Sequence, residues 1–534
     1  MAFYIFFFIF FLIPSLFEGL GLLTDRRFFL LYSFISAPFL YFYLVNCVKS
    51  IKIPLKAGIA YLLFLFFSTI STLFLSFDKQ TSFELLLFYF FSFLIFLFFY
   101  NQKNLGYLTS HYSPIILGIF FTCYSLITPF LKGKVFTFLI PTSEKQFVFA
   151  SYMNHNHLGD FLGLFVLIFC YYSFQKKWIY LPFFIFFFTI FLGSFSRSAY
   201  VAFFIVFILM LFYTRKKFSS LLLPFIFLFL SSIIVATYLL SIQLPVSSSF
   251  FRIQQYTKNS LNIAPRDIFS GHDIFIKQAL LSIQKYPLFG IGGGNFILAS
   301  QNNIFSNIFS DSAHSIFFEL ATELGIPATM CFLFFIFLVS KSALSFPSLP
   351  GFLFLYLLLN FQTDYTYQIY SLFLFWIILS AYIHRESKEF IISSAIYGTF
   401  CMLVLFVLVC IMTSTLFVKM GDYPNALRWY PLNKNAYISA IQKSNSKTPS
   451  YISQAQHIAP YDLTLNESIA NYYLKSGDKV IALRYYEKIY NANHLCSFYF
   501  VKKIYILKKE VYSERTATTF FERVVFDYTK IFIP

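Results

Sequence analysis

Gly290-Ile-Gly-Gly-Gly-Asn-Phe296, followed by Ser312-Ala-His314-Ser-Ile-Phe-Phe-Glu319, closes a polar segment running from Gln243 to Ala313 in a chain that is otherwise apolar almost throughout. The segment also carries Arg252, Arg266 and His272. Hydrocarbon offers charges and backbone polar groups no partners, so this stretch cannot lie in lipid. It reads as a long exposed loop between membrane spans, and long ordered loops commonly carry function.

Hydrophobic residues make up 58% of the 534-residue chain and charged residues 12%, with 81 Phe, a balance far from that of soluble domains. The expected fold is an all-α, polytopic membrane protein with about 12–13 transmembrane helices, each near the length that crosses roughly 30 Å of hydrocarbon. The candidate spans fall near 3–17, 28–48, 57–77, 83–100, 112–131, 158–174, 178–193, 198–213, 220–242, 315–339, 346–361, 369–384 and 391–418. The first lacks a basic n-region and a small-residue cleavage site, and reads as a retained anchor.

Loop charge sets the expected orientation. With the N-terminus inside, Lys49, Lys52, Lys56, Lys103, Lys176, Lys177, Arg215, Lys216, Lys217, Lys341, Arg385 and Lys388 fall in cytoplasmic loops. The short outer loops then hold the smaller set Arg26, Arg27, Lys79, Lys132, Lys134, Lys145 and Arg197, as the positive-inside rule requires. This orientation puts the 243–313 loop, Asn154-His-Asn-His157, Arg197 and Asp364 on the outer face of a cytoplasmic (inner) membrane.

Residues 1–418 thus form a transmembrane domain. Residues 419–534 contain no stretch able to span and read as a separate soluble domain on the outer side. Within it, Ile469-Ala-Asn-Tyr-Tyr-Leu-Lys-Ser-Gly477 and Ala482-Leu-Arg-Tyr-Tyr-Glu487 read as paired amphipathic helices joined at a glycine. This resembles a tetratricopeptide repeat, and any small helical domain is the plainer alternative.

Absences narrow the chemistry. The sequence has no Gly-x-x-x-x-Gly-Lys-Ser/Thr phosphate loop and no Asp-x-Asp of the kind a metal-dependent nucleotide-sugar transferase tends to carry. Seven Cys are scattered without a Cys-x-x-Cys pair, so neither a structural disulfide nor a zinc site is expected. His155 and His157 lack a neighbouring third ligand, and no metal or cofactor is expected. The net charge of +17 is explained by topology and anionic lipid, and no nucleic-acid partner is expected. The Gly290–Gly294 run has no βαβ context; it suits a tight turn, or backbone N–H groups approaching a phosphate.

Four stretches, in order, resemble the O-antigen ligases and related O-antigen polymerases, membrane glycosyltransferases that use a polyprenyl-diphosphate-linked glycan as donor. Asn154-His-Asn156-His-Leu-Gly159 is similar to the family's Asn-x-Asn-x-x-Ala/Gly segment opening a span. Ser194-Phe-Ser196-Arg197-Ser-Ala is similar to its Ser-Arg motif. Tyr286-Pro287-Leu-Phe-Gly290-Ile-Gly292 is similar to its Pro-x-x-Gly-x-Gly stretch. Ala313-His314 with Glu319 and Glu323-Leu-Gly325 is similar to the His-bearing motif that returns the chain to the membrane. One departure stands out: where the family commonly has Ser-Gly-Arg followed by Trp, this chain reads Ser270-Gly271-His272-Asp-Ile-Phe. A histidine cannot give the bidentate fork of a guanidinium.

The resemblance implies transfer of a glycan to an acceptor hydroxyl, on lipid A-core, another glycan or a protein, without metal or nucleotide. Arginine is the side chain best shaped to grip the diphosphate, and Arg197, Arg266 and Arg252 are the candidates. His314 is the candidate catalytic base, since neutral imidazole accepts a proton near neutral pH. On the residues alone His314 is as readily a structural or capping side chain, and the resemblance assigns it the catalytic role. His272, Asn154 and Asn156 are further substrate-binding candidates, the asparagines being equally suited to helix capping. An O-antigen polymerase and a protein O-oligosaccharyltransferase are the close alternatives. A flippase would show polar residues deep in several spans, which these spans lack, and a glycan-binding scaffold would rest on the repeat domain alone.

Overall fold

The structure, a computed structural model, describes residues 50–101, 155–174, 178–194, 196–218, 272–302, 310–384, 386, 388–444, 446–492 and 498–532. Among these, five helices are long and apolar enough to cross a membrane: Leu55–Leu75, Lys79–Asn101, Asn156–Phe174, Ile316–Ser345 and Ser394–Met420. Shorter apolar helices cover Leu181–Leu192, Arg197–Tyr213, Leu349–Thr363 and Leu372–Ile383. The chain is an all-α polytopic membrane protein. Nine of the expected spans coincide with these nine helices; those at 3–17, 28–48, 112–131 and 220–242 lie outside the described residues.

One element was not expected. Ser50–Pro54 and Glu389–Ser393 form an antiparallel pair with Ile51 opposite Ile392 and Ile53 opposite Phe390. Ile51 and Ile53 alternate with Lys52 and are buried, and Lys52 Nζ reaches Glu389 Oε2 at 2.6 Å. The span expected from 391 therefore begins at Ser394, because the preceding residues are held in strand geometry.

Contacts divide the chain into two units: Met1–Ala57 with Ser92–Ile268 and Phe335–Tyr397, and Gly58–Phe91 with Phe269–Phe334 and Gly398–Pro534. In the first, the helix His155–Phe174 packs on Leu181–Gly193 and Arg197–Phe218, while Leu349–Thr363 covers His155–Phe174 and Arg197–Phe218. Phe187 stacks on Phe169 at 4.9 Å and on Phe165 at 5.6 Å. Such ring pairs contribute about 0.5–1.5 kcal/mol beyond their buried area. Gly163 provides the room for Tyr356, whose Oη lies 2.0 Å from where a Cβ would stand.

In the second unit the carboxy-terminal helices Leu463–Lys475, Lys479–Ala492, Phe498–Val511 and Glu514–Phe532 pack successively on one another. Their starts are written locally: Asp462 and Asp478 accept from the amides of Leu465 and Ile481, at 2.8 and 3.0 Å. Gly477, at φ +88°, ends the first of these helices with the left-handed turn that glycine adopts without penalty. Their apolar faces meet in a core that includes Leu483, Tyr486, Ile489, Val501 and Ile504.

Candidate functional site

The turn ahead of Ile316–Ser345 is built around one buried carboxylate. Glu319 Oε2 accepts from Ser312 Oγ at 2.8 Å and from the Ala313 amide at 3.0 Å, and Ser312 Oγ in turn accepts from the His314 amide at 3.0 Å. A carboxylate in the first turn of a helix also suits the partial positive charge there. Held in this way, His314 takes φ +54°, a left-handed conformation uncommon for a side chain other than glycine or asparagine. Its half-buried ring is stacked by Phe275 at 5.0 Å and lies 4.4 Å from the ring of His272. The sequence candidates His314 and His272 are thus brought together, the second at the start of the helix His272–Lys285.

The glycine run docks on a break in the same helix. Gly325 has φ +85°, and Pro327 follows inside the apolar sequence. Proline carries no N–H, so the Glu323 carbonyl loses its helical donor, and the Ile326 amide turns away to the Pro287 carbonyl at 2.8 Å. The freed Thr322 and Glu323 carbonyls accept instead from the Ile291 and Gly292 amides, at 3.2 and 2.8 Å. Close approach is what the glycines supply: a Cβ at Gly290 would stand 2.3 Å from the Glu323 carbonyl, and one at Gly325 would stand 2.3 Å from Leu288 O. Phe296 N also donates to Glu323 Oε1 at 2.9 Å, so Glu323 serves the turn with both backbone and side chain.

The other side of the turn is held by residues between two spans and in the first turn of the second. Phe77 N donates to Ile291 O at 2.9 Å, and Ser82 Oγ donates to Gly293 O at 2.8 Å. Asn295 Nδ2, buried, reaches Ser76 Oγ, Ser82 Oγ and Ile291 O at 3.2, 3.0 and 3.1 Å. Sequence reading gave Ser76, Ser82 and Asn295 no role, and one serine in a short interspan turn with another in the first turn of the next span carries no pattern by which they could have been found.

In the first unit the Asn-x-Asn and Ser-Arg stretches meet. A Cβ at Gly159 would lie 2.5 Å from Ser196 Cβ and 2.6 Å from Ser194 Oγ, so glycine is what allows the closure. Tyr356 Oη donates to the Gly159 carbonyl at 3.4 Å. Ser194 Oγ donates to Phe191 O at 2.7 Å, and Ser196 Oγ accepts weakly from the Ala199 amide at 3.4 Å as the next helix starts. Arg197 opens that helix and is exposed. A cation at a helix N-terminus opposes the macrodipole, and the position concentrates positive potential where an anion would be received. Asn156 is half-buried, and His157 is buried edge-on to Tyr365 at 4.7 Å. Asp160, Asn360 and Asp364 are buried polar residues of this unit that sequence reading did not place among the site residues.

Asn154, Arg252 and Arg266 lie outside the described residues. Among the described residues, no group of three or more His, Cys, Asp or Glu side chains is arranged to hold a metal ion. No curated protein and no solved structure matches the chain. Residues 182–333 match the family model described as O-antigen ligase. That segment includes Arg197, His272, the glycine turn and His314, and over it the chain is similar to the O-antigen ligase family.

Proposed function

We propose that this protein transfers a glycan from a polyprenyl diphosphate carrier to an acceptor hydroxyl at the outer face of the cytoplasmic membrane, in the manner of an O-antigen ligase. The observation that carries the reading is the His314 turn. Within the segment similar to that family, Glu319 holds the backbone ahead of an imidazole in a left-handed conformation, with a second imidazole 4.4 Å away.

In this reading His314 accepts the proton of the acceptor hydroxyl as its oxygen attacks the anomeric carbon. The bond from that carbon to the diphosphate breaks, and the leaving diphosphate takes the electron pair. Arg197, with Arg252 and Arg266 of the large loop, neutralises the charge that develops there. Asn154 and Asn156 donate to sugar or phosphate oxygens. Attack from the face opposite the leaving group inverts the anomeric carbon. No nucleotide or metal enters the scheme. Residues 419–534 serve as a soluble tetratricopeptide-like domain on the outer side, a reading supported by the successive helices that pack pairwise beyond Leu463.

Purified protein in nanodiscs, given a polyprenyl-diphosphate-linked glycan and separate lipid A-core, lipid-linked glycan and peptide acceptors, is expected to release polyprenyl diphosphate as one acceptor is extended. The extended acceptor distinguishes ligase, polymerase and protein transferase. Absence of carrier release with every hydroxyl acceptor would remove the proposal.

A further inference from the structure

Lys434 opens the helix Lys434–Lys443 of the second unit, a position where the macrodipole disfavours a cation. Its compensation comes from elsewhere in the chain. Lys434 Nζ donates to Asp78 Oδ2 at 2.6 Å and to Asp462 Oδ2 at 2.7 Å, and its backbone amide donates to Gln80 Oε1 at 2.8 Å. Both carboxylates already cap helices: Asp78 accepts from Thr81 N at 3.1 Å at the start of the span Lys79–Asn101, and Asp462 accepts from Leu465 N at 2.8 Å. One ammonium therefore ties the start of a membrane span to the starts of two carboxy-terminal helices. Beside it, the Phe77 ring packs on Tyr461 at 4.3 Å and edge-on to Tyr286 at 5.5 Å.

The turn gripped in this way is the one that holds the glycine run. Phe77 N, Ser76, Ser82 and Asn295 form a continuous hydrogen-bonded set with Ile291 and Gly293, and a Cβ at Gly292 would lie 2.4 Å from Ser76 Oγ. The helix Phe296–Asn302, directly after the run, also lies against Lys479–Ala492.

We infer that Lys434 is a positioning residue: through Asp78 and the 76–82 turn it lets the carboxy-terminal helices set the backbone of Gly290–Asn295. The inference rests on the proposed function for its catalytic consequence, whereas its structural content stands on the hydrogen bonds alone. A buried ion pair of this kind, with Asp78 at 7% exposure and Lys434 at 20%, leaves an uncompensated carboxylate when the ammonium is removed. The penalty falls on the turn that carries it.

The test uses the full chain in nanodiscs and reads amide hydrogen exchange beside transfer kinetics. Lys434→Met is expected to speed exchange at Gly290–Asn295 by about tenfold or more, with exchange in Phe498–Val511 unchanged, because opening is local. It is expected to lower kcat by about tenfold with KM for the lipid-linked donor within about threefold, as misplacement of a site backbone does. Lys434→Arg, which keeps charge and reach, restores both readings. If Lys434→Met does not accumulate, Gln80→Ala removes the acceptor of the Lys434 amide, along with the Gln80 Nε2 bond to Glu84 Oε1 at 3.0 Å, and carries the same expectation at about threefold, the scale of one hydrogen bond. Unchanged exchange at Gly290–Asn295 in a folded variant overturns the inference. Wild-type protein that transfers nothing overturns the proposed function instead, and the exchange reading then decides the positioning claim alone.

Discussion

The ring of His272 lies 4.4 Å from the ring of His314, at an angle of 31°. His272 is the residue at which the chain reads Ser-Gly-His where the family it resembles commonly has Ser-Gly-Arg. An imidazole exchanges protons through its nitrogens, whereas a guanidinium stays charged.

His314→Ala is expected to reduce transfer by about a hundredfold or more, the scale of a lost general base, with membrane insertion unchanged. His272→Arg is expected to stay within about threefold of wild type, because a planar guanidinium stacks on rings as imidazole does. Initial rates with a lipid-linked donor check both. A His314→Ala variant with rates within tenfold of wild type would exclude it as the base.

Gly325→Ala is expected to destabilise the protein, since it combines a strained φ, costing about 1–3 kcal/mol, with a clash. The added Cβ would stand 2.3 Å from Leu288 O. Pro327→Ala is gentler. It restores an N–H that competes for the Glu323 carbonyl, and should lower transfer by about threefold to tenfold, one neutral hydrogen bond. Thermal unfolding and kinetics of the purified variants separate the two effects.

Gly159→Ala should cost about 1–3 kcal/mol as overpacking, because Ser196 Cβ occupies the space and both sides are helical or helix-flanking backbone. A Cβ there would be 2.5 Å from Ser196 Cβ. Gly477→Ala tests the contrast: nothing lies within 4 Å of its Cβ position, so its cost is confined to φ +88°. Denaturation midpoints that rank the two in the opposite order would contradict this packing.

Burial pushes the Asp78 carboxyl up, but Lys434 and the hydrogen bonds from Lys434 and Thr81 outweigh it and hold the group below its ordinary 3.8. Burial pushes the Lys434 ammonium down, and Asp78 and Asp462 outweigh it and hold the group above its ordinary 10.5. A lowered carboxylate stabilises the fold above 3.8 and ceases to do so as pH falls through its folded value; a raised ammonium stabilises below 10.5 and ceases to do so as pH rises through its folded value. Hydrogen exchange in the 76–82 turn should therefore show no extra opening from this cluster between those limits, after correction for the intrinsic rate. A transition near neutral pH that Lys434→Met abolishes would contradict the assignment.

Transfer is expected to proceed in EDTA without nucleotide. Loss of activity on chelation, restored by Mg²⁺ or Mn²⁺, would instead call for a metal ligand set that includes residues outside those described.

The nine spans that coincide with described helices were legible in the sequence because length and hydropathy alone decide them. The closeness of the Asn-x-Asn and Ser-Arg stretches was legible only as motif order, although Gly159 hints that something packs against it. The glycine run was read as a turn, and it is one. Its seat on the broken helix was not legible, because the Gly325–Pro327 break announces free carbonyls without naming their donors. The role of Ser76, Ser82 and Asn295 lay further out of reach, since the serine–asparagine bonds join residues more than 200 positions apart. The strand pair escaped notice for the same reason: Ser50–Pro54 finds its partner at Glu389–Ser393.

The interrupted helix Ile316–Ser345 also constrains how such a protein can be rebuilt. Because Thr322 and Glu323 spend their carbonyls on Ile291 and Gly292, and Pro287 receives the Ile326 amide, neither the loop nor the span has a complete set of backbone partners by itself. Tyr286 to Pro327 therefore exchanges as a unit only together with residues 76–82, which hold Ile291, Gly293 and Asn295 from the other side. A chimera cut between the glycine run and the span would graft a loop whose amides face the wrong carbonyls, whereas a chimera that transfers the run, the span and residues 76–82 together would carry its register with it.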